Sequence, residues 1–440
     1  MPLAAEMELL PPAHHHYGAG TIRWYLQFVL EAATSLRAAG RVLEVLQGYL
    51  PGVAAAPAAN TGQAWLLRLG LHELQRPKEQ AADWIWLMDH TVQIGQVKCL
   101  LIVALRLSAW EANGRGPLEH RDLAVLALEP MRQSTGSLVQ VELERAVAQT
   151  GVPRAILTDG GKDVKKAVFG FRAAHPAVAA LSDIKHKTAV LVKAELKADD
   201  RWQKFLLAVG RTKSQMQQTE LACLVPPSLK DKARYMNLAE MVNWGRRALR
   251  YLDASPDARE PVAKAERLEK KLGWLRQYRE ALDQWGGMMA VVNTTLEVIR
   301  RDGYHGKAAE VLGERLASLA HDELSRRVAE RAVTFVSEQS QSVGAAEHLP
   351  SSTECLESLI GKGKRLEGQQ SRSGFTKMVL GMAASVVEPT AEHVRKALET
   401  VKTKDVIVWC KEKLGLSVQA QRQRALPPLI REQKQDKAFA

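Results

Sequence analysis

The stretch Ala155-Ile156-Leu157-Thr158-Asp159-Gly160-Gly161-Lys162-Asp163-Val164-Lys165-Lys166 decides how this chain is read. A short apolar run delivers an acid to a Gly-Gly turn, and a basic, helix-forming segment follows at once. That order puts Asp159 at the exposed carboxyl end of a strand, where open α/β sheets keep their chemistry. One acid so placed is common, whereas several converging acids make a cation site.

Upstream, Trp84-Ile85-Trp86-Leu87-Met88-Asp89 is a second buried-strand run ending in an acid. Val97 to Leu107 reads as the next strand, joined through Gly95, and Leu123 to Leu128 as a third. Ser137 to Gln149, with Leu138, Val141, Leu143 and Val147 in helical spacing, suits a helix packed on a sheet. Pro153 then precedes the strand that carries Asp159. Two hairpin-linked strands, a third, a helix, a strand and a helix form the order of a ribonuclease H-like core. In that layout the first and fourth strands are neighbours, so Asp89 and Asp159 are expected side by side. After a helix over Asp163 to Phe171, Ala177 to Ser182 reads as a fifth strand leading into Asp183-Ile184-Lys185-His186.

From Lys187 to Leu349 the strand signal disappears. Amphipathic helices replace it, among them Pro261 to Trp285, where Ala265, Leu268, Leu272, Leu275 and Leu282 share a face. Trp202, Trp244, Trp274 and Trp285 read mainly as the core of this helical insertion. Further acids appear in Ser351-Ser352-Thr353-Glu354-Cys355-Leu356-Glu357, which opens with hydroxyl caps and sets Glu354 and Glu357 three residues apart on a helix. Either can reach a cation; Ser351 as N-cap with Glu354 at the third helical position fits a capping box, which leaves Glu357 freer. Ser371 to Lys377 suits phosphate contacts, and a helix is expected from Thr376 to Val387. Beyond Pro389 the chain reads as helical and basic.

The N-terminal part predicts helices from Ile22 to Ala39 and from Arg41 to Leu50, punctuated by Gly40, and a third from Asn60-Thr61 through Leu74. Three such helices suit a helix-turn-helix. The expected class is α/β: a ribonuclease H-like mixed-sheet catalytic core interrupted by an all-helical insertion. The expected parts are an N-terminal helical, DNA-binding domain over 1–80, the first part of the core over 81–195, the insertion over 196–349, the last core helix with the third acid over 350–387, and a basic helical tail over 388–440.

Charge supports a polyanionic partner. The chain carries a formal net charge of +12, concentrated as +10 over residues 160–250 and +6 over 350–440, with −2 in each of the two remaining blocks. Such blocks are an electrostatic footprint for nucleic acid. Four widely spaced cysteines, Cys99, Cys223, Cys355 and Cys410, indicate neither a zinc module nor a disulfide framework. A cytoplasmic setting is expected, nucleoid-associated if the source is bacterial, since no signal pattern or membrane-length apolar run is present. His14, His15 and His16 lie in a polar N-terminal segment.

Taken together, Met88-Asp89-His90 with Gly95 and Lys98, Leu157-Thr158-Asp159-Gly160-Gly161, the Asp-x-x-His at Asp183 and His186, and Glu357-Ser358-x-x-Gly361-Lys362 with Ser373-Gly374-Phe375-Thr376 resemble the DDE transposases of the retroviral integrase-like superfamily. The Asp-x-x-His is similar to a signature of hAT-like and Mutator-like elements. The resemblance spans about residues 80 to 385. It implies DNA strand cleavage at element ends and transfer of a 3′-hydroxyl into target DNA. It implies two divalent ions, Mg²⁺ with Mn²⁺ as an alternative, held by Asp89, Asp159 and Glu357, with His186 as a substrate-positioning group that Asp183 orients. Lys162, Lys165, Lys166, Lys362, Lys364, Arg365, Arg372 and Lys377 would meet the phosphate backbone. Double-stranded DNA, both the element's inverted repeats and its target, is the expected partner, and pairing two ends implies a homodimer or higher oligomer. Two other classes stand beside this one: a domesticated, non-catalytic DNA-binding protein on the same scaffold, and a ribonuclease H-like nuclease without strand transfer.

Overall fold

The computed structural model describes residues 10–47, 49, 55–92, 97–228, 238–255, 263–368, 375–416 and 418–425. Its contacts divide the chain into two compact units, Met1–Leu181 with Thr353–Ala440, and Ser182–Ser352.

The first unit is built on one mixed sheet. Its strands are β1 (Trp84–Val92), β2 (Lys98–Arg106), β3 (Ala124–Met131), β4 (Ala155–Thr158) and β5 (Ala179–Ser182), in the spatial order β3-β2-β1-β4-β5. β1 runs antiparallel to β2 and parallel to β4, with Met88 opposite Ile102 on one side and Thr158 on the other. The central strands read as continuous apolar runs because both sheet faces are covered. Trp84, Trp86, Met88, Leu100, Ile102 and Ile156 face one cluster with Val139, Leu143, Val164, Ala167 and Phe171. Each large apolar side chain fully buried there contributes about 1.5–3 kcal/mol.

In chain order the helices of this unit are α1 (Ala19–Leu30), α2 (Leu36–Leu46), α3 (Ala59–Gln75), α4 (Leu107–Ala112), α5 (Gly136–Thr150) and α6 (Lys162–Ala174). The second unit then contributes α7 (Ile184–Ala198), α8 (Asp200–Met216), α9 (Leu238–Asp253), α10 (Ala265–Leu272), α11 (Arg279–Asp302), α12 (Ala308–Ala317) and α13 (Glu323–Ser340). The chain returns to the first unit with α14 (Glu354–Gly368), α15 (Leu380–Ala384), α16 (Ala391–Thr400), α17 (Thr403–Lys413) and α18 (Val418–Ala425). Helices α5 and α6 pack on each other against one face of the sheet, while α14 packs on β1 and α3 and α15 pack on β3.

Within this unit the N-terminal and C-terminal helices pack on one another: α16 meets α1 and α3, and α17 meets α3. Arg68 on α3 donates through Nε to the Val401 carbonyl at 2.6 Å and through Nη2 to the Leu398 carbonyl. Gly70 lies so close to α15 that a Cβ there would meet the Leu380 carbonyl oxygen at 2.1 Å. Trp65, Leu66, Leu67, Leu69 and Leu71 are all buried, so the apolar residues of α3, the third of the N-terminal helices, are spent on packing within the unit. The exposed polar stripe of this segment is on α2. The break between α1 and α2 falls at Glu31 to Ser35, not at Gly40: the Ser35 side chain accepts from the Ala38 amide and starts α2, which absorbs Gly40.

The second unit is helical in its described residues apart from one isolated bridge, Tyr304 with Leu349. Trp202, Phe205 and Trp285 are fully buried, with the Trp202 and Trp285 rings edge-to-face at 5.0 Å, and Trp244 is buried nearby against Trp274. These tryptophans make the core of the unit. The helix expected from Pro261 to Trp285 is interrupted by a 3₁₀ turn over Gly273–Tyr278, after which α11 continues to Asp302. The unit opens at Ser182, ahead of the residue-196 boundary read from the sequence, because α7 packs on α11 and α13. No helix among the described residues is long and apolar enough to cross a membrane.

Candidate active site

Asp89 and Asp159 are presented by strands that pair. Met88 and Thr158 are register partners of β1 and β4, so Asp89, still within β1, and Asp159, just past the end of β4, follow side by side. The turn after β4 needs its glycines for a stated reason. Gly160 has φ +93°, a left-handed conformation, and a Cβ on it would meet Lys165 Cε at 2.9 Å. The Asp159 carboxylate accepts from the Gly161 amide at 3.0 Å, which fixes the acid over the start of α6. Asp89 accepts from the His90 amide at 2.6 Å.

Glu357 joins them from α14. The buried apolar residues Cys355, Leu356, Leu359 and Ile360 seat this helix, which packs on β1. It begins at Glu354, three residues beyond the expected cap, so Glu354 is its first residue and the Ser351 capping box does not form. The Glu357 amide donates to the Thr353 carbonyl, and Ser351 instead donates to the Ile299 carbonyl. Glu357 lies in the first turn and exposed, Glu354 half-buried.

Electrostatics tie the three acids together. The Asp89 carboxyl is pushed well above the usual carboxylate range by burial, then by the charge of Asp159, with a further push from Glu357 and from hydrogen bonding with Asp159; the His90 amide only partly offsets this. Like charges brought together in a partly desolvated site resist ionising together. A divalent cation removes that conflict, and three carboxylates are the oxygen donors a hard cation takes.

Beside the acids lies a network that sequence reading missed. His90 Nε2 and Ser134 Oγ are 3.0 Å apart, Ser134 donates to Asp163 Oδ2, and Lys98 Nζ reaches the same oxygen at 3.5 Å. Burial, with Lys98, keeps the His90 imidazole below its usual pKa and so neutral near pH 7. Asp163 stays below the carboxylate range although its burial opposes this, because the Ser134 hydroxyl donates to it and Lys98 lies beside it. Asp163 has an ordinary local explanation as a first-turn acid of α6, and that explanation hides its longer-range role.

The cations divide into groups. Lys162, Lys165 and Lys166 are exposed on the first turns of α6, directly after Asp159, with Lys165 lying over Gly160 and the Lys166 stem over Gly136. Lys364 is exposed seven residues after Glu357, about 20° away around the helix. Lys362, about 140° away, turns elsewhere: Glu31 and Arg365 are among its charged neighbours. Arg365 donates to the Val29 carbonyl at 3.2 Å, so Arg365 serves the contact with α1. Lys377 is exposed and lines a cavity of about 650 Å³ with Arg68, Phe375, Cys410 and Lys411. Gly95, Arg372 and the Ser373-Gly374 pair lie outside the described residues.

Asp183 and His186 belong to the second unit. Asp183 is buried and caps α7, accepting from the His186 amide at 2.7 Å, while the His186 side chain is exposed. The Asp-x-x-His spacing therefore has a local structural meaning: the acid holds the histidine's backbone, not its ring.

No protein-family model matches this chain, and no curated protein matches it. Among solved structures, a chain of the Drosophila P element transposase strand transfer complex is similar at a TM-score of 0.43 and 10% sequence identity, over 87% of this chain and 94% of that one.

Proposed function

We propose that this chain is a DNA transposase, which cleaves phosphodiester bonds at the ends of a mobile element and joins the freed 3′ ends to target DNA, on a ribonuclease H-like core. The observation that carries the reading is the electrostatic loading of Asp89 by Asp159 and Glu357, three acids delivered by two paired strands and a helix. Such a set is unsatisfied without a cation, and its all-oxygen chemistry suits Mg²⁺ or Mn²⁺. When bound, two such ions supply Lewis acidity to the attacking and leaving oxygens of an in-line displacement.

The chain's own groups do the rest. Asp89, in the field of both other acids, would hold such ions together with Asp159 and Glu357. Lys162, Lys165, Lys166 and Lys364 draw the phosphate backbone towards the acids and hold it in register. His90, kept neutral by its surroundings, and Asp163 hold the wall of the site beside Asp89. His186 acts as a substrate-positioning group. Water attacks in cleavage and a DNA 3′-hydroxyl in joining, so one arrangement serves both steps. Pairing two ends calls for a dimer or a larger assembly.

An oligonucleotide assay in Mg²⁺ with end and target duplexes tests this. Strand-transfer products support the reading. Cleavage without joining reduces it to a nuclease, and binding without cleavage to a DNA-binding protein on the same scaffold.

A further inference from the structure

We infer that His72, Glu73 and His393 form a zinc site, separate from the three acids, that fastens the N-terminal helices to the C-terminal ones. The ligand atoms of these residues all lie within 4.8 Å of one another. Two ligands on one tetrahedral zinc stand roughly 3.3 Å apart, given zinc–ligand distances of about 2.0–2.1 Å. His393 Nε2 and Glu73 Oε1 are 2.7 Å apart, and the His72 and His393 rings meet edge-to-face at 5.6 Å. Side-chain adjustment alone brings the three donors onto one ion.

The surroundings are those of a held ligand. Glu73 is 1% exposed and His72 5%, and neither is a surface group. Arg76 Nε donates to Glu73 Oε2 at 2.6 Å, which fixes the carboxylate and leaves Oε1 to the histidines. Metal-ligating carboxylates are held in this way by a partner on their second oxygen. Lys78 Nζ donates to the Glu73 and Leu74 carbonyls at 2.9 Å each, so the helix end that carries the ligands is itself tied down. His393 is the most open of the three, with its side chain 25% exposed.

Two imidazoles and one carboxylate favour zinc over magnesium, which takes oxygen donors. The consequence is structural. Glu73 and His393 are 320 residues apart in sequence, so an ion held between α3 and α16 closes a very long loop and opposes separation of the chain ends.

The test uses the full-length protein, stripped with chelator, re-dialysed with zinc in excess Mg²⁺, and read by metal content, by visible absorption after Co²⁺ substitution and by thermal melting. The expected result is one retained zinc, a tetrahedral Co²⁺ spectrum and a raised melting temperature. His393→Gln and Glu73→Gln should each weaken zinc affinity by about 10–100-fold or more. His393→Gln keeps a hydrogen-bond donor for Glu73 and guards against simple unfolding. Asp89→Asn should leave the zinc and its spectrum unchanged, so failure of this site and failure of the catalytic reading are told apart. Zinc held equally by the wild type and both Gln variants, as adventitious binding at His14 to His16 would give, overturns the inference. So does a chain that retains no zinc, in which Glu73 is an ion-paired buried acid only.

Discussion

Asp89 and Asp159 follow the register partners Met88 and Thr158 on two parallel strands, and burial first, then the charge of Asp159, pushes the Asp89 carboxyl well above the usual carboxylate range. The relationship is unfavourable while both acids are charged, because like charges in a partly desolvated site repel.

A first expectation follows from that repulsion. Asp89→Asn and Asp159→Asn should each abolish Mg²⁺-dependent cleavage, by a factor of about 10³ or more, as loss of charge stabilisation at the reacting phosphate costs on that order. In chelator at pH 8 both variants should melt at or above the wild-type temperature, because a like-charge contact has been removed. Differential scanning calorimetry beside a cleavage assay reads both. Melting well below the wild type would mean that the acids serve the fold.

Glu354 and Glu357 are separated by their positions on α14. Glu357 belongs to the field on Asp89, whereas Glu354 is the helix's first residue and complements its positive end. Glu357→Gln should therefore lose cleavage, while Glu354→Gln should keep it within a few fold and cost roughly 0.3–1 kcal/mol of stability. Paired single-turnover assays and urea melts decide it, and the reverse pattern would move the third acid to Glu354.

Those two residues also mark what the sequence could and could not tell. The apolar runs ending in Asp89 and Asp159 were legible because a strand buried on both faces has a continuous signature, and a Gly-Gly turn announces a left-handed backbone. Ser351, Ser352 and Thr353 are three successive candidate caps, and local chemistry does not choose among them; packing of α14 on β1 does. The network of His90, Ser134 and Asp163 was invisible because its two links span 44 and 29 residues and each member has an adequate local role. The burial of α3 was hidden for a similar reason. Its partners, Leu380, Leu398 and Val401, lie over 300 residues away and leave no periodicity that names them.

The network makes its own prediction. Ser134 stands between His90 and Asp163, so Ser134→Ala should free the histidine ring while leaving the three acids in place. Cleavage should fall by about 10-fold, a loss of roughly 1–1.5 kcal/mol in keeping with one hydrogen bond, with Mg²⁺ dependence and melting temperature close to wild type. Ser134→Thr, which keeps the hydroxyl, should restore most of the rate. An alanine variant as active as the wild type would leave the network without a part in the reaction.

Glu367 gives a pH dependence away from the acids. Its carboxyl is 5% exposed and is raised to about 7 by burial, although it accepts from the Thr376 amide at 3.0 Å and the Thr376 hydroxyl at 2.7 Å. In the unfolded chain a glutamate titrates near ~4.3. Between about pH 4 and pH 7 the folded protein thus holds a proton that the unfolded chain has released, so this group makes stability fall as pH rises through that window. Glu367→Gln, which cannot ionise and still offers Thr376 an acceptor, should remove that part of the slope. Its melting temperature should exceed the wild type's at pH 8 and approach it at pH 5. Melting curves across this range read the difference, and two parallel curves would mean that Glu367 keeps an ordinary pKa in the folded chain.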